Sequence, residues 1–343
     1  MRLSSRLGYG DGFVKAVERV QQLEEVGVDV VWVAEAYGYD AATRLGYLAA
    51  RTHRVQLGSG IFPIYTRTPA LLAQTVAGLD ELSDGRAILG LGASGPQVIE
   101  GWHGVAYDRP VQRTREIIEI CRMVWRRDPL EYRGKAYRLP LPPEEGTGLG
   151  KPLKMLTHPS RARIPIYLAS LGDRSVELTA ELAEGWLPIF FVPDKADSIW
   201  GKALGRGREK RSPELGPLEV VAGGPLAIGD GLEHLREAER PHLALYVGGM
   251  GARSKNFYNE LIGRYGFERE AAQIQDLYLS GKKREAEALV PSALLESLSL
   301  IGPAGYVKDR IADFKAAGVT LLDVQPIGPD PLGDVARVKE WIS

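Results

Sequence analysis

Four groups of residues have the types and spacing to do chemistry, and each closes a short apolar run. Glu35-Ala36-Tyr37 follows the β-branched run at 28–34. Gly58-Ser59-Gly60-Ile61-Phe62-Pro63 closes the run at 55–62. Gly92-Ala93-Ser94-Gly95 closes the run at 86–92, and Pro96-Gln97 then restarts the chain at a favoured first helical position. Ala169-Ser170-Leu171-Gly172 closes the run at 164–169, ahead of Asp173. Small residues at a strand end let backbone N–H groups approach a flat or anionic ligand. A plain connecting turn uses the same residues, and one Gly-x-Gly does not separate the two readings. Recurrence at several strand ends favours a ligand. Around Ser170, Gly172 and Ser175 a helix N-terminus suits a phosphate, with Arg174 adding charge. The competing reading is that Ser170 or Asp173 only caps that helix. Gly58 and Gly60 inside one strand mark a bulge or the close approach of a ligand, against simple tight packing beneath a helix.

Equally informative is the chemistry that the chain lacks. Its histidines, His53, His103, His158, His234 and His242, form no His-Glu-x-x-His pattern. The single cysteine, Cys121, sits in the apolar-periodic run at 117–124 and reads as a buried helix residue. It excludes an internal disulfide and any cysteine zinc spacing. No Gly-x-Ser-x-Gly elbow is present. Without a protein nucleophile or metal set, the reaction falls to an organic cofactor. Lys plus Arg total 43 and Asp plus Glu total 44, so no bulk charge draws nucleic acid or an acidic membrane. No apolar run is long enough to span a bilayer, and residues 1–6 lack a signal-peptide core. The expectation is a cytoplasmic protein acting on a small molecule, with neither nucleic acid nor membrane as partner.

The elements that must position these residues alternate. Strands are predicted at 3–8, 28–34, 55–62, 86–92, 164–169, 185–191, 218–228 and 319–324. Helices are predicted at 12–26, 41–51, 69–82, 109–125, 173–183 and 335–342, and another opens at Leu300-Ile301-Gly302-Pro303. Eight such units predict an α/β fold, a (β/α)8 TIM barrel, in a single domain over 1–343. A doubly wound sheet is the alternative, and the lack of Gly-x-Gly-x-x-Gly after the first strand counts against it. Two insertions are expected near the barrel mouth. One spans 126–163 and includes a hairpin at 131–139 turning at Gly134-Lys135. The other is helical, 231–290, and is interrupted at Gly248-Gly249-Met250-Gly251. Tyr132, Tyr137, Phe257 and Tyr258 are candidate pocket-lining aromatics.

These segments together resemble the luciferase-like monooxygenase superfamily, and within it the branch that uses the deazaflavin coenzyme F-420. The resemblance rests on 34–38 (Ala-Glu-Ala-Tyr-Gly), 60–69 (Gly-Ile-Phe-Pro-Ile-Tyr-Thr-Arg-Thr-Pro), Ala73-Gln74-Thr75, and Ser83-Asp84-Gly85-Arg86. It rests also on Gly92-Ala93-Ser94-Gly95-Pro96-Gln97 through Gly101-Trp102-His103-Gly104, and on 164–170 through 183–186. The run at 94–104 is similar to that of methylenetetrahydromethanopterin-reductase-like enzymes. The resemblance implies the deazaflavin at the C-terminal mouth of the barrel and a cis peptide at Gly60-Ile61. It implies cofactor contacts from Ala93, Ser94, Gly95 and Gln97, and a phosphate site at Ala169, Ser170, Leu171 and Gly172. The glucose-6-phosphate dehydrogenase branch carries Asp-His after the second strand; here Glu35-Ala36 stand there. Alcohol oxidation through that His is therefore not expected, and reduction of a C=C or C=N bond is. Glu35 is then the candidate catalytic donor or ring contact, with a structural ion pair as the alternative. FMN-dependent monooxygenation and non-catalytic cofactor binding are the rival functions. The family also implies a homodimer, with Leu45, Leu48, Leu71, Leu72 and Val76 of the second and third helices as a candidate face. The alternative is that these residues pack on the barrel.

Overall fold

The computed structural model describes residues 1–8 and 12–343. Eight parallel strands close a ring: β1 (Arg2–Leu7), β2 (Val30–Val33), β3 (Gln56–Ser59), β4 (Ala87–Gly92), β5 (Ile166–Ala169), β6 (Gly185–Trp186), β7 (Glu219–Ile228) and β8 (Leu321–Pro326). Each pairs with the next, and β8 pairs with β1, with Ser4 opposite both Val30 and Asp323. This is the predicted barrel, and helices cover its outside.

Alternation along each strand divides the apolar residues into two bodies. Outward residues such as Leu3, Val31, Leu89, Leu168 and Leu322 join the core shared with the helices. Inward residues Val30, Trp32, Ile88, Tyr167, Val221 and Leu321 form a separate cluster within the barrel. Large inward side chains require small partners. A Cβ on Gly58 would lie 2.3 Å from Trp32 Cζ3, and one on Gly185 would lie 2.2 Å from Tyr167 Cδ2. Beneath this layer Arg2, Gln56, Glu219 and the Tyr167 hydroxyl hydrogen-bond one another and close the floor with polar groups.

The third strand bulges where Gly58 and Gly60 marked it: it breaks after Ser59, turns through Gly60-Ile61, and re-pairs as Phe62–Pro63 against Leu91 and Gly92. Three expectations are corrected. The sixth strand is Gly185–Trp186 rather than 185–191, because Pro188 has no N–H with which to extend the ladder. Leu300–Gly302 is a strand and not a helix start. It pairs with Leu226–Ile228 on the edge of β7 that the short β6 leaves free, and the helix begins at Ala304. The hairpin of Tyr132–Arg133 with Arg138–Leu139 turns over four residues, with Gly134 N–H donating to Tyr137 O at 2.8 Å.

The segment at 126–163 runs along the outer side of the helix Pro110–Trp125. Glu116 of that helix accepts from the backbone N–H groups of Lys135, Ala136 and Tyr137, and Glu119 accepts from Tyr132. Arg161 then reaches Asp80 and Ala87 O at the start of β4. The segment at 231–290 forms short helices, including single π-turns at Leu245–Gly249 and Gly263–Phe267. No described helix is long and apolar enough to cross a membrane.

Candidate active site at the barrel mouth

Just above the Trp32 layer, strand alternation places Ala34, Gly60, Gly92 and Ala169 at the inward positions of β2 to β5, or directly beyond them. All four are small, so this side of the mouth is a shelf without projecting side chains. The peptide Gly60-Ile61 is cis, as the resemblance implied. Gly60 N–H donates to Val33 O at 2.8 Å, holding the turn against β2. Ser59 Oγ donates to Gly90 O and accepts from Gly90 N–H, tying the turn to β4. Ile61 then covers Gly92, where a Cβ would lie 2.9 Å from Ile61 Cδ1.

The neighbouring loops complete one arc. Ala93, Ser94 and Gly95 are half-buried, and Ser94 sits in the left-handed region at φ 57°. Gln97 is exposed in the helix Pro96–Gly101. β5 pairs directly with β4, so Ala169, Ser170, Leu171 and Gly172 lie beside this loop. Trp186 Nε1 donates to Ser170 O and Trp200 Nε1 to Leu171 O, both at 2.9 Å, so the carbonyls of this loop are clamped from below. The Ser170 side chain is turned away from the barrel interior, toward Thr179 of the helix Asp173–Leu182. Thr179 Oγ1 donates to Ser175 O, so Ser170 spends its only hydroxyl proton on Thr179 at 2.8 Å. Its hydroxyl therefore has no proton left for another acceptor.

Glu35 lies at the edge of the arc, where the structure gives it a partner in Arg67. Arg67 Nη1 donates to Oε1 and Nη2 to Oε2, both at 2.8 Å, and Ala41 N–H donates to Oε2 at 2.9 Å. Burial alone would lower the Arg67 pKa; Glu35 and Asp40 more than reverse this and raise it. Both carboxylate oxygens of Glu35 are therefore acceptors in a buried ion pair, the structural alternative of the sequence reading.

The opposite side of the mouth is a pocket formed by the ends of β1 and β6 to β8 together with residues between Arg236 and Ser299. Arg6 pairs with Asp323, and Asp323 also accepts from Ser4 Oγ at 2.8 Å. Phe190, at φ 54°, is held by its carbonyl on the Tyr265 hydroxyl at 2.6 Å. Its ring meets His242, Tyr246 and Tyr258 edge-on. Sequence reading missed Arg6, Asp323, Glu239 and His242. The available signal was Asp323 interrupting an apolar run at an inward position. Of the predicted aromatics, Tyr258 reaches this cluster. Tyr132 and Tyr137 sit on the outer helix near Glu119 and Arg113.

Comparison with known proteins follows the same lines. The luciferase-like monooxygenase family model matches residues 1–321. The chain belongs to that family. It is 40% identical over 98% of its length to the Mycobacterium tuberculosis protein named "Putative coenzyme F420-dependent oxidoreductase Rv3520c", covering 99% of that protein. It is 27% identical to 5,10-methylenetetrahydromethanopterin reductase of Archaeoglobus fulgidus, over 91% of this chain and 89% of that one. The coenzyme F420-dependent tetrahydromethanopterin reductase of Methanopyrus kandleri superposes with a TM-score of 0.80 at 25% identity, covering 98% of this chain and 96% of that one.

Proposed function

We propose that this protein is a coenzyme F420-dependent oxidoreductase that transfers a hydride between the deazaflavin and a small organic substrate, reducing a C=C or C=N bond. The observation that carries this reading is the shelf Ala34, Gly60, Gly92 and Ala169 with the turn at Gly60-Ile61 beside it, in a chain similar over nearly its whole length to proteins named for that coenzyme. The residues fit such a group. Apart from the chain beside each glycine, no described heavy atom lies within 4 Å of a Cβ built on Gly95 or on Gly172, so both loops leave room for it. Trp32 Nε1, at the level below, is buried with no acceptor among the described residues. When bound, the deazaflavin supplies the hydride chemistry. The protein supplies binding, orientation and exclusion of water.

In this reading Gly60 and Ile61 back the ring, Ala93, Ser94, Gly95 and Gln97 hold its edge and side chain, and Ala169, Ser170, Leu171 and Gly172 hold its phosphate through backbone N–H groups. Glu35 fixes Arg67 and the turn that precedes it, as a positioning group. Fluorescence titration of the pure protein with coenzyme F420 and with FMN tests the choice. Tight binding of coenzyme F420 is expected. Tight FMN binding with none of F420 would overturn it in favour of the monooxygenase reading, and F420 binding without turnover of any alkene or imine would favour a non-catalytic relative.

The protein is also read as a cytoplasmic homodimer that binds no nucleic acid. Leu45, Leu48, Leu72 and Val76 are buried in the chain's own core, so they are not the dimer face. Leu71, half exposed, and Tyr47 remain on the surface of those helices. A monomeric mass at micromolar protein would exclude the dimer.

A further inference from the structure

Of the two carboxylates that line the pocket opposite the shelf, Asp323 and Glu239, one has no partner among the described residues. Arg6 is paired with Asp323. Arg236 is paired with Glu296 and donates to Ile301 O. Glu239 lines the same pocket, and its carboxyl has neither hydrogen bond nor ion pair among the described residues. It precedes the helix Arg240–Ala244, and its backbone is fixed at both ends: its N–H donates to Arg236 O and its C=O accepts from Leu243 N–H. The carboxyl is therefore presented by a rigid segment, with Leu295 and Leu298 in the same pocket wall.

We propose that Glu239 is the proton donor of this enzyme, delivering a proton to the substrate atom next to the one that receives the hydride. This rests on the hydride-transfer reading above. Reduction of C=C or C=N adds one hydride and one proton. The reduced deazaflavin is oxidised and the substrate gains two electrons. The hydride forms one C–H bond and leaves an electron pair on the adjacent carbon or nitrogen. That pair takes the Glu239 proton as the carboxyl O–H bond breaks, and water reprotonates the carboxylate. The shelf cannot perform this step, because its residues carry no exchangeable side-chain proton, and Glu35 has both oxygens occupied by Arg67. Burial raises the Glu239 pKa above the ordinary glutamate value, which keeps the proton available. The charged groups facing the pocket are Arg6, Asp323 and Arg236, each neutralised in a pair, together with His242. Desolvation, assisted by Arg6, holds the His242 pKa below the usual histidine range, so it adds little positive charge that would strip the proton.

The test compares wild type, Glu239→Gln and Glu239→Asp with reduced coenzyme F420 and two probes, 2-cyclohexen-1-one and 1-pyrroline. Glu239→Gln is expected to bind the coenzyme like wild type and to lose about 100-fold or more in turnover. The wild-type rate is expected to fall as pH rises through a pKa above that of ordinary glutamate. This limb should vanish in Glu239→Gln and persist, displaced, in Glu239→Asp. A Glu239→Gln protein with wild-type rate and an unchanged pH limb overturns the assignment and leaves the function standing. Failure of both wild type and variant to bind the coenzyme overturns the function itself. If wild type turns over neither probe, carboxyl-carbon NMR of glutamate-labelled protein decides. A Glu239 signal titrating at or below the ordinary glutamate range overturns the proposal, and one titrating above it, and shifting when 2-cyclohexen-1-one is added, supports it.

Discussion

Arg67 grips Glu35 at two points, Nη1 on Oε1 and Nη2 on Oε2, each at 2.8 Å, while its guanidinium lies 4.3 Å from the centre of the Phe62 ring. The pair joins the end of β2 to the stretch that follows the turn at Gly60-Ile61. Its strength comes from a low-dielectric site with matched two-pronged geometry.

Removing one member leaves the other charged and buried. Arg67→Ala is expected to cost about 3–5 kcal/mol of stability, and Arg67→Lys less, because it keeps the charge and loses the second prong. Urea unfolding of the two variants checks the order. Equal stability of Arg67→Ala and wild type would show that the pair contributes nothing.

The barrel interior and the mouth loops should respond oppositely to an added methyl group. At Gly58 a Cβ would lie 2.3 Å from the Trp32 ring, itself packed 5.4 Å from the Tyr167 ring centre, so Gly58→Ala must displace the indole. A loss of about 1–3 kcal/mol or more is expected. At Gly95 the added methyl meets open space at φ −115°, and stability should stay within about 0.5 kcal/mol. Coenzyme affinity is the informative quantity for Gly95→Ala. A drop without a fall in melting temperature would place this loop against the ligand.

Glu116 makes the hairpin at 132–139 sensitive to acid. Burial pushes its carboxyl pKa up, but Gln112 and the N–H groups of Lys135, Tyr137 and Ala136 outweigh this and hold it below the ordinary value. A depressed folded-state pKa stabilises the protein above the unfolded-state value, and the contribution fades as pH falls through the folded-state value. Wild type should therefore lose stability on acidification below the ordinary glutamate range, and Glu116→Gln should flatten that part of the profile. Limited proteolysis near 134–137 should also quicken in Glu116→Ala. Identical acid profiles for wild type and Glu116→Gln would count against this account.

Cys121 should be silent to thiol reagents in the native protein. Burial pushes its thiol up to about 12, and its nearest polar partner is Pro69 O at 3.8 Å. One thiol per chain should react with Ellman's reagent in denaturant and essentially none without it. Rapid native labelling would mean that the helix Pro110–Trp125 opens.

Local pattern carried most of the architecture. The helix predicted at 69–82 is Pro69–Leu82, because Thr68 caps it, Pro69 opens it and Ser83-Asp84-Gly85 ends it, all within a few residues. The broken third strand was legible from Gly58 and Gly60. The sixth strand was over-read because 185–191 is apolar for another reason: Trp186 and Phe191 pack on Trp200 outside the barrel. Leu300–Gly302 was misread because three apolar residues before a proline suit a helix start, and only the free edge of β7 makes them a strand.

By itself the sequence determined most of the strands and helices, though not the helix Pro193–Lys210 or the strand Leu300–Gly302. It also determined that small residues close the strands and which family the chain joins, since these depend on neighbours along the chain. Ring closure decided the rest. It turned Trp32 and Asp323 inward, brought Arg67 to Glu35 from 32 residues away, and faced Glu239 toward β1 and β8. The physical reason is that a strand's two faces are equivalent until the sheet curves shut. Only then does alternate position mean interior or exterior, and only then do side chains from distant segments share one desolvated space in which charge must be paired or a proton kept.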